Sequence, residues 1–149
     1  MASALTSPFD LINTYVHLED GPTATPVDVS ADFWATIDKR TELHSGRLVT
    51  LFHIQSTDEW VHWEMHPAGD ELVCLLSGAI DLVLQENDGE RIIELGSRAA
   101  SIIPRGVWHR AVVHTPSDVM FVTRGEGTQL RLIEKGRYQD VISKVQRED

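Results

Sequence analysis

Residues 60–71 read WVHWEMHPAGDE and place Glu64, His66 and Glu71 within eight positions. Two carboxylates and an imidazole so close together can converge on one point. A mixed carboxylate and imidazole set of this kind suits Fe(II), Mn(II), Ni(II) or Zn(II) rather than Ca(II) or Mg(II), which prefer oxygen alone. Two plainer accounts also fit these residues: solvated surface polarity, or a local hydrogen-bonded turn over the Pro67–Asp70 stretch. The elements that carry the residues decide between them.

If 60–66 is a strand, His62, Glu64 and His66 share one face while Val61, Trp63 and Met65 share the other. Glu71 opens the next apolar run and can point back at the first pair. From about Arg47 the chain alternates short β-branched and apolar runs with turn signals. The runs are RLVTLFHIQ (47–55), WVHWEMH (60–66), ELVCLLS (71–77), AIDLVLQE (79–86), RIIEL (91–95), AASIIP (99–104), WHRAVVH (108–114), DVMFVTR (118–124) and QLRLIE (129–134). NDG at 87–89 marks a tight hairpin. Nine strands without intervening helices predict an all-β antiparallel barrel or sandwich. The expected layout is an N-terminal arm and short helix over 1–46 packed on the barrel, the barrel over 47–134, and a tail over 135–149, read as a short helix or frayed end. The helix is expected in SADFWATID (30–38), with Ser30 as its N-cap and Phe33, Trp34 and Ile37 at helical spacing. In ELVCLLS both faces are apolar, so both must be covered. That pattern predicts a homodimer, or cover from the N-terminal segment.

His66, four residues, Glu71 and then six residues to Gly78 resemble the first motif of the cupin superfamily, HxH, three or four residues, E, six residues, G. Gly96, seven residues and PRGVWH at 104–109 resemble the second, PxGxxH with a leading glycine. The resemblance covers about 47–125 and implies a small jelly-roll β-barrel. It implies that His66, Glu71 and His109 take three of four metal positions around one divalent transition metal. The fourth position, the first His of HxH, is Glu64 here. Glu64 can ligate, can stay off the ion as a base or substrate contact, or can accompany loss of the ion. The second motif departs too, with seven residues where five are usual after its glycine and Val113 where an Asn often closes it.

The other candidates are read more plainly. His62 is expected at the rim, able to replace Glu64 only across a bulge. His53 and His114 read as ordinary strand polar residues, and Trp63, Trp108 and Met65 as packing or interface residues. Cys74 reads as a small core hydrophobe facing away from Glu71, and Arg105 as exposed at the barrel mouth.

The chain has 149 residues, 13 Lys plus Arg against 23 Asp plus Glu, and a net charge of −10. That field disfavours nucleic acid and anionic lipid. No apolar run is long enough to span a membrane, and MASALTSPFD lacks a signal-peptide pattern. One cysteine rules out an internal disulfide and fits a reducing cytoplasm. The resulting expectation is a metal-dependent enzyme of dioxygenase, isomerase or decarboxylase type, acting on a small polar or carboxylate-bearing molecule, with Glu64 as the candidate catalytic base. The alternatives are a non-catalytic cupin that binds a sugar or metabolite, and a storage role.

Overall fold

A computed structural model describes residues 6–133; the tail expectation and the last residue of the 129–134 run lie outside the described residues. Among the described residues the strands all pair antiparallel, with short 3₁₀ segments and turns between them. Its strands are β1 (Thr14–Leu18), β2 (Ala24–Asp28), β3 (Arg47–Ile54), β4 (His62–Met65), β5 (Glu71–Glu86), β6 (Gly89–Leu95), β7 (Ala100–Ile103), β8 (His109–Thr123) and β9 (Gln129–Leu132).

Among the described residues the strand number is nine, yet they are not the nine read from sequence. Two pairs of runs fuse, 71–77 with 79–86 into β5 and 108–114 with 118–124 into β8. The 14–28 segment supplies two strands not foreseen, an antiparallel hairpin whose β1 pairs with β3. Polar and proline residues mask this hairpin in the sequence: Pro26 lies on β2, an edge strand where a missing N–H is tolerated. The helix expected over 30–38 is a 3₁₀ segment, Trp34–Lys39. Ser30 Oγ donates to Asp32 Oδ1 instead of capping, and the residue in the cap position, Phe33, has no capping side chain. Phe33 packs edge-to-face on Tyr15 at 5.3 Å, which fixes this segment against the sheet.

β5 and β8 are long because each passes through two layers. The C-terminal half of β8 lies between β3 and the start of β5, with Leu48↔Thr123 and Leu72↔Val122 in register. β7 borders that start of β5. The N-terminal end of β8 lies between β4 and the far half of β5, with Glu64↔His109 and Leu84↔His109, and β6 borders the latter. Each ribbon therefore contributes to both sheets of a jelly-roll sandwich.

The bend is built at Gly78, where the β5–β8 register shifts three times between Leu75 and Ile80. Gly78 has φ +104°, and a Cβ there would strike Ser117 Oγ and lie 2.7 Å from Pro116 O. The irregularity switches inward parity from Val73 and Leu75 to Ile80, Leu82 and Leu84. All five consequently join one core with Ala111, Val113, Val119 and Phe121. Burying each of the Val, Leu, Ile and Phe side chains among them contributes about 1.5–3 kcal/mol.

Candidate functional site

The inward-facing parity that buries Val73 and Leu75 also points Glu71 into the sandwich, and the parity of Ala111 and Val113 does the same for His109. On β4 the outward residue Trp63 packs with Val83 and Val112. Glu64 and His66 therefore face inward. Glu71 comes from one layer, and Glu64, His66 and His109 from the other, so the four meet across the seam at one end of the core.

Their distances are short. His109 Nε2 lies 3.1 Å from Glu71 Oε1, His66 Nε2 lies 3.3 Å from Glu71 Oε2, and His66 Nε2 lies 3.6 Å from Glu64 Oε1. Glu64, His66 and His109 each offer an atom within 4.8 Å of the others. The remaining ring nitrogens are engaged. His109 Nδ1 is 3.0 Å from the Val107 carbonyl, an acceptor only, so Nδ1 carries the proton and Nε2 of the neutral ring carries a lone pair. His66 Nδ1 is 2.8 Å from Thr128 Oγ1. Thr123 Oγ1 donates to Glu71 Oε2 at 2.5 Å.

His66 Nε2, Glu71 Oε1 and His109 Nε2 are buried and lack a hydrogen-bond partner of acceptable geometry, despite the short separations between them. An orphaned buried polar atom is costly, and three facing one another are suited to a shared cation. Ligands about 2.1 Å from an ion stand roughly 3.0 Å apart at octahedral angles and about 3.4 Å apart at tetrahedral ones. The separations of 3.1, 3.3 and 3.6 Å are of that size. The donor set fits a divalent transition metal.

Electrostatics separates the two carboxylates. Burial pushes the Glu71 carboxyl up, but the close approach and positive charge of His109 and His66 outweigh it and bring the pKa from 4.5 down to about 2. Glu64 moves the other way, raised by burial and then by the Glu71 charge. Burial pushes His109 down, and its contacts to Glu71 more than offset this, so its pKa is raised. Glu71 is thus the fixed anion, with 4% of its side chain exposed, and Glu64 the more easily protonated group, with 32% exposed at the edge of the cluster.

The entrance beside Glu64 is apolar. Leu130 pairs with Glu64 and Leu132 with His62, so both stand on the inward face of the edge strand β9, yet they are 57% and 68% exposed. His62 lies on the Glu64 side and half-buried. Its ring makes no hydrogen bond or ion pair with the clustered residues. Thr123 and Thr128 were not foreseen from sequence. An i+2 spacing from Phe121 could have indicated that Thr123 faces inward, but Thr128 sits in a turn and gave no periodic signal.

His53 pairs with Asp118 at 2.7 Å and His114 with Asp81 at 2.9 Å, both histidines exposed. Trp63 packs under the Arg110 guanidinium, 5.0 Å from the ring centroid, and Trp108 under that of Arg131 at 4.5 Å. Arg105 is exposed, and its backbone N–H donates to Asp70 Oδ1. Cys74 departs from its reading as a core residue: it lies half-buried on the outer sheet face, because its parity is that of Leu72, not Val73. A separate surface groove of about 520 Å3, lined by residues including His17, Val27 and Leu43, contains none of the four clustered residues.

No family model matches the chain, and no curated protein sequence does. Solved structures do. A cupin-2 domain protein from Shewanella frigidimarina NCIMB 400 is 18% identical, over 51% of this chain and 68% of its own, with a TM-score of 0.42. A cupin superfamily protein from Desulfitobacterium hafniense DCB-2 is 17% identical, over 52% of this chain and 65% of its own, with a TM-score of 0.43. Hydroquinone 1,2-dioxygenase from Sphingomonas sp. TTNP3, with 4-hydroxybenzoate bound, is 16% identical over 52% of this chain, with a TM-score of 0.44. The chain spans 58% of that enzyme's length.

Proposed function

We propose that this chain is a metal-dependent cupin enzyme of dioxygenase, isomerase or decarboxylase type, acting on a small polar or carboxylate-bearing metabolite. The observation that carries the reading is the set of three buried, partnerless atoms on His66, Glu71 and His109, spaced as ligands of one ion would be. In this reading His66 Nε2, His109 Nε2 and Glu71 hold the metal, and Glu64 either completes the set or remains free. When bound, a divalent transition metal supplies Lewis acidity to a substrate carbonyl or, as iron, reactivity toward O2.

The chain's own residues do the rest. The Val107 carbonyl and Thr128 hold the two imidazoles with Nε2 inward. Thr123 fixes one Glu71 oxygen. Glu64, whose pKa is raised, can accept a substrate proton at Oε1 in the role of general base. Leu130 and Leu132 give the substrate an apolar approach to it. A cytoplasmic setting and a homodimer belong to the same proposal. Among the described residues no helix is long and apolar enough to cross a membrane.

The test is elemental analysis of tag-free protein, wild type beside His66→Ala, as purified and after incubation with Fe(II), Mn(II), Ni(II) and Zn(II). About one equivalent per chain, lost in the variant, is the expected result for a mononuclear site. A wild type that stays empty through all four incubations would overturn the metal reading and leave a polar ligand-binding cluster.

A further inference from the structure

Buried polar atoms without a hydrogen-bond partner are not confined to the clustered carboxylates and histidines. Among the described residues Trp60 Nε1 is another, and nothing in the metal reading uses it. An indole N–H can only donate, so its missing partner is an acceptor. Leaving a buried donor unpaired is costly, which is why a tryptophan packed indoors ordinarily finds a partner for it.

Backbone geometry places the ring. Trp60 follows the Thr57–Glu59 3₁₀ turn with extended backbone, φ −101° and ψ 93°. The Ile133 N–H donates to the Val61 carbonyl at 3.0 Å, which carries the β4–β9 pairing on toward Trp60. Two-residue alternation then puts Trp60 on the side of His62 and Glu64, facing the interior. Its ring packs against the main core, 5.8 Å from the Phe121 ring at 44°. Phe121 in turn meets Phe52 edge-on, 5.7 Å away at 74°. Phe121 and Thr123 are i and i+2 on the inward face of β8, and Thr123 holds the Glu71 carboxylate. One pleat, about 7 Å, therefore separates Phe121 from the residue that fixes Glu71. The orphaned donor and the orphaned ligand atoms belong to one interior.

On the reading of this interior as the substrate chamber of a metal-dependent enzyme, we infer that Trp60 Nε1 anchors the substrate, an aromatic molecule bearing an uncharged oxygen acceptor such as a carbonyl. The walls select the ring. Phe52, Phe121 and Trp60 are set at tilted and edge-on angles, and a flat aromatic molecule extends the same kind of contact. Leu130 and Leu132 at the entrance add apolar surface and no charge. Electrostatics selects the acceptor. Glu71 brings negative charge to this interior and the chain carries −10, while an indole has no positive charge with which to hold an anion. The oxygen that meets Trp60 is therefore a neutral one.

Proton–nitrogen correlation NMR of the full chain tests this, because each of the four tryptophans contributes its own indole N–H signal. Trp60→Phe keeps a packed ring, removes the N–H, and identifies the Trp60 signal by its loss. The probe is acetophenone; cyclohexyl methyl ketone keeps the carbonyl and lacks the aromatic ring. Chelated and zinc-loaded samples are both titrated. The expected result is a saturating downfield shift of the Trp60 N–H with acetophenone. Binding should be roughly 2- to 12-fold weaker in Trp60→Phe, as loss of one neutral hydrogen bond gives. The alicyclic ketone should bind several-fold more weakly than acetophenone. A nuclear Overhauser contact between the indole N–H and the methyl group of acetophenone reads the same pairing in wild type alone. A Trp60 signal unmoved in both samples overturns the inference and leaves a buried water as the partner of Nε1. Equal binding of the two ketones overturns the aromatic class, and equal binding by wild type and Trp60→Phe overturns the anchor. Zinc content is measured on the same samples. An empty metal site with a shifted Trp60 signal would retire the metal and keep the chamber; a filled site with an unmoved signal would retire Trp60 alone.

Discussion

Replacing Glu71 by Gln keeps the size and most hydrogen bonds of the side chain but removes its charge, and in chelated, metal-free protein the cost follows from the site's electrostatics. The Glu71 carboxyl is held at about 2 rather than 4.5, with burial opposing and the two imidazoles prevailing. That displacement corresponds to about 3 kcal/mol of native-state stabilisation. The sign differs on the two sides. Because the folded-state pKa of Glu71 is depressed, its contribution is present above pH 4.5 and is lost as pH falls toward about 2. Because that of His109 is raised, its contribution is present below 6.5 and is lost as pH rises through the folded value. Metal-free wild type should be most stable between about pH 4.5 and 6.5. Urea unfolding followed by tryptophan fluorescence measures it. With a slope of about 2 kcal/mol per molar, Glu71→Gln should lower the midpoint by roughly 1.5 M near pH 5.5. The loss should shrink at higher pH, once the rise has carried His109 through its raised folded-state pKa and removed the cation that pairs with Glu71. An equal loss at both pH values would show that shape or hydrogen bonding, not charge pairing, explains Glu71; no loss at all would refute the argument.

Three further outcomes are expected. Thr128→Val frees His66 Nδ1 and should weaken metal binding about 10- to 100-fold in a competition assay against a chromophoric chelator, with thermal stability of the metal-free protein nearly unchanged. Gly78→Ala puts a Cβ against Ser117 and Pro116 O at a positive φ, and should cost about 1–3 kcal/mol in urea unfolding. Leu82→Ala, fully buried between the layers, should cost about 2–5 kcal/mol, whereas Leu132→Ala at the exposed entrance should stay within about 0.5 kcal/mol.

The parts of this architecture that were legible in the sequence are those where periodicity and spacing agree. Alternation in WVHWEMH put Glu64 and His66 on one face, and the structure places both beside Glu71 and His109. NDG marked the turn at which Glu86 meets Gly89. The fusion of runs into β5 was not legible, because Gly78 reads as a turn residue while its positive φ serves a bulge inside a continuous strand. The β1–β2 hairpin was missed since it gains its stability from the pairing of β1 with β3, a tertiary effect that local propensity does not carry. Cys74 was assigned to the core by its apolar neighbours. Burial depends on which layer covers that face, and no local pattern encodes this.

The passage of β5 and β8 through both layers also governs how the protein comes apart. Neither layer has a complete set of strands of its own, since each depends on the same two ribbons joined along nearly their whole length, from Leu72↔Val122 to Leu84↔His109. Opening one layer strips partners from the other. The slowest-exchanging amides of both layers should therefore share a single opening free energy, and the protein should unfold as one cooperative unit.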